Sequence, residues 1–412
     1  MLNRKLWDAA AKLYPAVTLT ERARFLPLLE LDKGEISSTA AIEVARATRE
    51  KAQSIAERLI AELPSPHPGE WRSDLGYIVL RGAQAEKLLP EVSSVRDVFP
   101  SAVGSDATCR DIVALTPDAA VPLYARLRLV AVAAVQALLT VTFEGPCRLM
   151  LSPRPFVAIR SHAELLREVR ACVEALVAER SFSRADPVQL LADVASGRTS
   201  VFTAHHYHDA LPSSSKQKLA QLKLSEAISL RMPGDGWLIS RERALPEILS
   251  PASLGRVVGQ LGSDDAWMRW LFHAASSVPS GDFDPMVALF DECASPLWSL
   301  RTLTERFAGL AAKGSLTDVA PAAVDLGGPH REMLLRALFL PAWSGRAVRE
   351  GEVLGWMTVV ESLSARGHAF LNSPETRRAL AGASISGPQA QIVAGLGFGL
   401  SSILPVVFEG GS

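Results

Sequence analysis

The chain has 412 residues, enough for two or three domains that each bury a core without disulfide or metal staples. Its composition, 48% hydrophobic and 21% charged, excludes an intrinsically disordered protein. With 43 basic side chains against 44 acidic ones, no overall field draws the molecule to a polyanion, so nucleic-acid contact has to rest on a local patch. Arginine far outnumbers lysine beside abundant Ala, Leu and Val, which is a high-GC bacterial coding bias and no sign of function.

Helical periodicity dominates the first third. From Ser38 to Leu63, apolar positions such as Ile55, Leu59 and Ile60 recur at helical spacing behind a Ser/Thr start, which predicts one amphipathic helix. Pro64 to Trp71 (PSPHPGEW) ends it as a loop or domain boundary, because proline cannot continue the hydrogen-bond ladder. Between Ser73 and Phe182 the pattern again reads as mostly helical. Leu129 to Phe143 (LVAVAAVQALLTVTF) is shorter than the ~20 residues a bilayer needs and predicts a buried central helix. Cys147 to Ser161 suggests a short hairpin, and Ser161 with Glu164 forms a capping box for a helix running toward Phe182.

From Asp186 to Arg243 the segments shorten: PVQLLADVASG, TSVFTAHHYHDALP, SSSKQKLAQLKLSEA, then ISLRM and WLISRE around Pro233-Gly234-Asp235-Gly236. Three short helices followed by a hairpin is the order of a winged helix. Beyond Pro251 amphipathic helix returns, with Trp267, Trp270, Trp298, Trp343 and Trp356 expected to anchor a core or an interface. The uncharged stretch from Gln391 to Phe408, diluted by glycine, serine and Pro405, reads as a buried terminal element or a partner contact.

Several chemistries are excluded by missing motifs. No lysine precedes Ser or Thr, so there is no Walker A loop, and no lysine has Asp or Glu two positions before it, so the D/E-x-K nuclease half-site is missing. There is no G-x-S-x-G elbow, no H-E-x-x-H, and no G-x-G-x-x-G between a strand and a helix. The cysteines Cys109, Cys147, Cys172 and Cys293 show no C-x-x-C spacing and read as small core residues. MLNRKLWDAAAKLYP lacks an apolar signal core, which with the scattered thiols predicts a reduced, cytoplasmic protein without a membrane span.

Three groups of residues carry chemistry. Ser213, Ser214, Lys216, Lys218 and Lys223, with Arg231, Arg241 and Arg243 beyond them, bring hydroxyls, helix N-terminal amides and cations into one short stretch, as phosphate contact with DNA or RNA requires. The plainer reading is a solvated helix face on a protein-binding module. His205, His208 and Asp209 share a face if helical, which is ligand geometry for a metal; the plainer reading is a polar boundary. The letters H-x-x-x-D also match an acyltransferase pattern, but Ala210 stands where glycine is usual and no partner motif occurs. Asp264-Asp265 and Asp282-Phe283-Asp284 resemble magnesium-holding pairs, although Pro285 directly after the second favours helix capping.

The sequence therefore predicts a mostly α, multi-lobed protein: a helical lobe at 1–182, a small hairpin-containing, winged-helix-like module at 186–250, and a Trp-rich helical lobe at 251–412. The expected function is a non-catalytic adaptor or scaffold of a bacterial multiprotein assembly, with protein partners, DNA or RNA contact through the middle module, and no cofactor. The alternative is a metal-dependent hydrolase or transferase using His205, His208 and Asp209, or Asp282 and Asp284.

Overall fold

A computed structural model describes residues 2–20, 23, 25–27, 36–63, 70–81, 109–115, 123–151, 154–178, 199–204, 227–230, 258–275, 296–313, 333, 335–337, 339–381 and 400. These residues are mostly helical, with two small sheets. The chain divides into two compact units, one of Met1–Pro100, Thr302–Arg346 and Val359–Leu404, the other of Ser101–Arg301, Ala347–Thr358 and Pro405–Ser412.

In the first unit, α1 (Leu2–Leu13) precedes two short strands, β1 (Leu26–Pro27) and β2 (Ile36–Ser38). The stretch predicted as one helix is two, α2 (Ala40–Thr48) and α3 (Ala52–Glu62). The break falls at Arg49, whose left-handed backbone (φ 63) turns the chain while its N–H closes α2 on the Ala45 carbonyl at 2.8 Å. A single straight helix could not pack its two halves against each other as α2 and α3 do, with Val44 and Ile55 both buried, and this packing overrides the absence of glycine or proline.

After α3 the chain forms a hairpin of β3 (Glu70–Asp74) and β4 (Tyr77–Arg81), joined by Leu75 and Gly76. Both turn residues have positive φ (50 and 89), the type I′ pattern that matches strand twist. The sheet is antiparallel throughout, in the order β1-β2-β4-β3, with Ile36 opposite Leu80 and Ser38 opposite Ile78. With α1 and β1 before it, the run β2, α2, α3, β3, β4, in which β4 pairs with both β2 and β3, follows the element order of a winged helix. This module spans the first 81 residues; most of 186–250, where sequence reading expects a winged helix, lies outside the described residues.

Its core is apolar and continuous. Leu6, Ala9 and Ala10 of α1, Ala40, Ala41 and Val44 of α2, Ile55, Ala56 and Leu59 of α3, and Ile78 and Leu80 of β4 are all buried. Fully burying residues of this size is worth roughly 1.5–3 kcal/mol for each large aliphatic side chain. Phe25 stacks at a tilt on Trp71 of β3, with ring centres 5.4 Å apart. Polar ties position the entry: Phe25 N–H donates to Asn3 Oδ1 at 2.7 Å, and Thr20 gives Glu43 both its N–H and its hydroxyl, at 2.9 and 2.8 Å.

The second unit is built on a largely parallel sheet. Its strands are β5 (Arg110–Leu115), β6 (Cys147–Leu151), β7 (Val157–Ile159), β8 (Thr199–Ala204) and β9 (Ala227–Leu230), in the order β7-β6-β5-β8-β9. All neighbours are parallel except β7, the return of the predicted hairpin, which pairs Cys147 with Ile159. Two of these strands fall where sequence reading expects helix. RDIVAL and TSVFTA are short and apolar, and a run of that length carries no period that separates a buried strand from a helix turn.

Helix α4 (Leu123–Phe143) links β5 to β6 and packs on β5, β6 and β8. By length and composition Arg126–Phe143 could cross a membrane, but 72% of it is buried inside the protein, which agrees with the predicted central helix. Leu129 to Val135 is completely buried. Against α4 lie α5 (His162–Val177) and α6 (Asp264–Ala275). The predicted cap is present with a shifted reciprocal bond: Ser161 Oγ accepts from Glu164 N–H at 3.2 Å, while Glu164 Oε2 accepts from the N–H of Arg160, one residue before the cap, at 2.8 Å.

The described chain continues with α7 (Pro296–Lys313), α8 (Leu340–Glu350), α9 (Val353–Asn372) and α10 (Pro374–Ala381). Trp267, Trp270, Trp343 and Trp356 are buried as expected, with Trp267 edge-on to Trp270 at 5.6 Å and Phe272 edge-on to Trp356 at 6.2 Å.

Candidate nucleic-acid interface

Helices α2 and α3 meet at Arg49-Glu50-Lys51, and the residues exposed there are charged. Arg46, Arg49 and Lys51 project from the last turn of α2 and the entry to α3, all exposed, with no carboxylate partner among the described residues. The acidic residue between them, Glu50, is neutralised by Arg58, whose guanidinium also lies 5.4 Å above the Tyr14 ring. A locally cationic turn thus sits at the N-terminus of α3, where free amides and the helix dipole also favour an anion. The spacing of these cations is the signal that sequence reading passes over, because one uninterrupted helix would spread them around its circumference.

The exposed side of α3 is less open to base readout. Gln53 donates to Glu57 at 3.1 Å and accepts from Gly76 N–H at 3.2 Å; Arg58 is held by Glu50; Glu62 pairs with Lys12 at 2.6 Å. Ser54 is exposed. On the hairpin, Arg72 lies 3.4 Å from Asp74, and the turn presents two large apolar side chains, Leu75 and Tyr77, which are 87% and 40% exposed.

All the residues that sequence reading nominates for phosphate or metal lie outside the described residues, apart from Asp264 and Asp265. These are Ser213, Ser214, Lys216, Lys218, Lys223, Arg231, Arg241 and Arg243, the group His205, His208 and Asp209, and the pair Asp282 and Asp284. The described ends of the strands before them are informative. β8 finishes at Ala204, one residue before His205, and β9 at Leu230, one residue before Arg231, so both strands finish at the carboxyl edge of the parallel sheet. Chain order reverses between β5 and β8, which makes the carboxyl ends of those two strands a topological switch point. Among the described residues, no group of three or more His, Cys, Asp or Glu could hold a metal ion.

The other acidic pair has structural work. Asp264 and Asp265 open α6, where Ser263 Oγ accepts from Ala266 N–H at 3.1 Å; Asp264 pairs with Arg170, and Asp265 with Arg301 and with Arg269 at 3.4 Å. Both carboxylates are committed to cations and to the helix start.

The opposite, amino edge of the parallel sheet carries a polar network. Asp111, fully buried at the start of β5, accepts both arms of Arg148 from β6 at 2.6 Å, and Arg148 also covers the Phe156 ring at 4.7 Å. Glu144 receives Arg349 at 2.9 Å and faces Arg110 at 3.5 Å, while Arg110 donates to the Arg349 carbonyl at 3.1 Å. Midway along α4, Gln136 donates to Ser200 Oγ at 2.8 Å and to the Val348 carbonyl at 2.9 Å. The contacts of Arg349 and of the Val348 carbonyl tie the end of α8 to Arg110, Gln136 and Glu144. Close by, burial pushes the Cys147 thiol up to about 12.

No protein-family model, curated protein or solved structure matches this chain. The topology and the side chains described above therefore carry the functional reading.

Proposed function

We propose that the protein is a nucleic-acid-contacting, non-catalytic component of a larger assembly, and that it meets duplex DNA through the N-terminal winged helix. One observation carries the reading: Arg46, Arg49 and Lys51 stand exposed, without a carboxylate partner among the described residues, at the helix-turn-helix of a chain whose net charge is −1. In a balanced chain a local surplus of this kind sits where a phosphate backbone would dock. The serines and lysines of 213–223, with Arg231, Arg241 and Arg243, supply a second basic stretch in the same reading.

The test is a salt-titrated binding measurement of the whole protein on short duplex DNA, single-stranded DNA and RNA. Duplex affinity that falls steeply with salt supports the reading, since each neutralised phosphate releases counterions. Affinity weaker than micromolar at low salt, on all three probes, removes it and leaves a protein-binding winged helix.

A second reading is favoured by the parallel sheet. The residue after β8 is His205, and β8 ends beside β5 at the switch point, where open α/β sheets bind their ligands. In this reading His205, His208 and Asp209 hold a divalent metal for hydrolysis or group transfer. Near-stoichiometric metal in the purified protein, released by His205→Ala, supports it; metal-free protein that takes up no zinc on addition rejects it.

A further inference from the structure

We propose that Leu75 is a wedge that enters a base step of duplex DNA from the minor groove and kinks it. The proposal rests on the winged-helix reading above and names how that site would discriminate among sequences.

The side chain is displayed at a cost. Leu75 is 87% exposed and sits at φ 50, a left-handed conformation that Asn, Asp or Gly adopts with less strain. A two-residue turn of this type ordinarily carries Asn-Gly or Asp-Gly. At 87% exposure its side chain adds little apolar burial to the fold, and backbone strain of this kind clusters at ligand clamps and active sites.

The prong is also rigid. Gly76 N–H donates to Gln53 Oε1 at 3.2 Å, and the Gly76 α-carbon packs so tightly that an added Cβ would come within 2.6 Å of the Ala52 side chain. The turn is thereby fastened to the first turn of α3, immediately after the cationic entry at Lys51. With α3 in a major groove and Arg46, Arg49 and Lys51 on the phosphates, a hairpin tip fixed beside them faces the flanking minor groove. Apolar side chains inserted there unstack a step and bend the duplex.

The chemistry of α3 favours such a device for selectivity. Gln53, Arg58 and Glu62 are already engaged within the protein, so few side chains remain to read base edges. Discrimination then comes from how readily the DNA deforms, with pyrimidine–purine steps yielding most easily and A-tracts least. The cationic surroundings favour a nucleic acid over an apolar protein surface as the occupant.

The experiment compares the whole protein with Leu75→Asn on end-labelled duplexes of equal length, one with a central TA step and one with an A-tract, by fluorescence energy transfer for bending and by titration for affinity. Asn tolerates the left-handed backbone, so the variant keeps its Tm. The wild type should bend the TA duplex and prefer it on the order of tenfold, about the discrimination of one base-level contact. Leu75→Asn should bind both duplexes equally, unbent, with an unchanged salt slope. Salt-dependent binding with bending and preference intact in Leu75→Asn overturns the wedge and leaves the winged-helix reading standing. No duplex binding by the wild type overturns both, and Leu75 is then a protein contact.

Discussion

The backbone N–H of Gly76 donates to the side-chain oxygen of Gln53 at 3.2 Å, joining the hairpin turn to the first turn of α3 across 23 residues of chain. Since Gly76 has φ 89 and no room for a Cβ against Ala52, Gly76→Ala combines backbone strain with a clash. It should destabilise the protein by about 2 kcal/mol. Gln53→Ala, which only removes the hydrogen bonds, should cost about 1 kcal/mol. Urea titration of the two variants, followed by a probe in the first unit, checks the order.

Charge reversal at Arg46, Arg49 and Lys51 removes the cationic turn without breaking any ion pair among the described residues. The triple variant should keep its far-ultraviolet circular dichroism. It should bind duplex DNA far more weakly and, where residual binding is measurable, show a salt slope smaller by about three, one for each phosphate no longer neutralised. An unchanged slope would move the interface elsewhere.

Arg148→Ala leaves the fully buried Asp111 carboxylate without its bidentate partner. Breaking a buried pair from one side costs about 3 kcal/mol, mostly as the penalty of an uncompensated charge. Asp111→Asn in the same background should recover part of that loss by removing the charge. Thermal denaturation of the single and double variants measures the coupling; additive losses would show that the pair is not the source.

The buried thiols make a prediction about pH. Desolvation raises Cys147 and Cys172 from the ordinary 9.0 to about 12, so the folded state holds these protons more tightly than the unfolded chain does. Their stabilising contribution is complete below pH 9 and is lost as pH rises toward 12. Alkaline unfolding should therefore shift upward in Cys147→Ala and Cys172→Ala relative to their neutral-pH stabilities. Burial raises Cys109 too, but it is solvent-accessible. Mass-spectrometric mapping after brief alkylation should find Cys109 modified well before Cys147 or Cys172.

Much of the fold is legible where the signal is local. The central helix α4, the Ser161–Glu164 cap, the β6–β7 hairpin and the tryptophan anchors each follow from a few neighbouring residues. A winged helix is expected from the sequence at 186–250, most of which lies outside the described residues; the module with that element order that the structure describes is N-terminal. Pro233-Gly234-Asp235-Gly236 is a strong turn signal, whereas the N-terminal module turns at Arg49 and at Leu75-Gly76 with little to mark either. The nominated residues from His205 to Arg243, and Asp282 and Asp284, lie outside the described residues, so the candidate interface comes from positions that periodicity alone treats as a solvated helix face.

By itself the sequence determined the buried central helix α4, the capped start of α5 and the buried tryptophans, because propensity, capping and 3.6-residue periodicity act over a single turn or two. Tertiary structure decided that RDIVAL and TSVFTA are neighbouring parallel strands, since a short apolar run becomes a strand only when partners satisfy its backbone. It also decided that residues 38–63 bend at Arg49: packing α2 against α3 outweighs the strain of a left-handed arginine. That bend sets Arg46, Arg49 and Lys51 side by side at a helix N-terminus, and the neighbouring hairpin holds Leu75 out beside them.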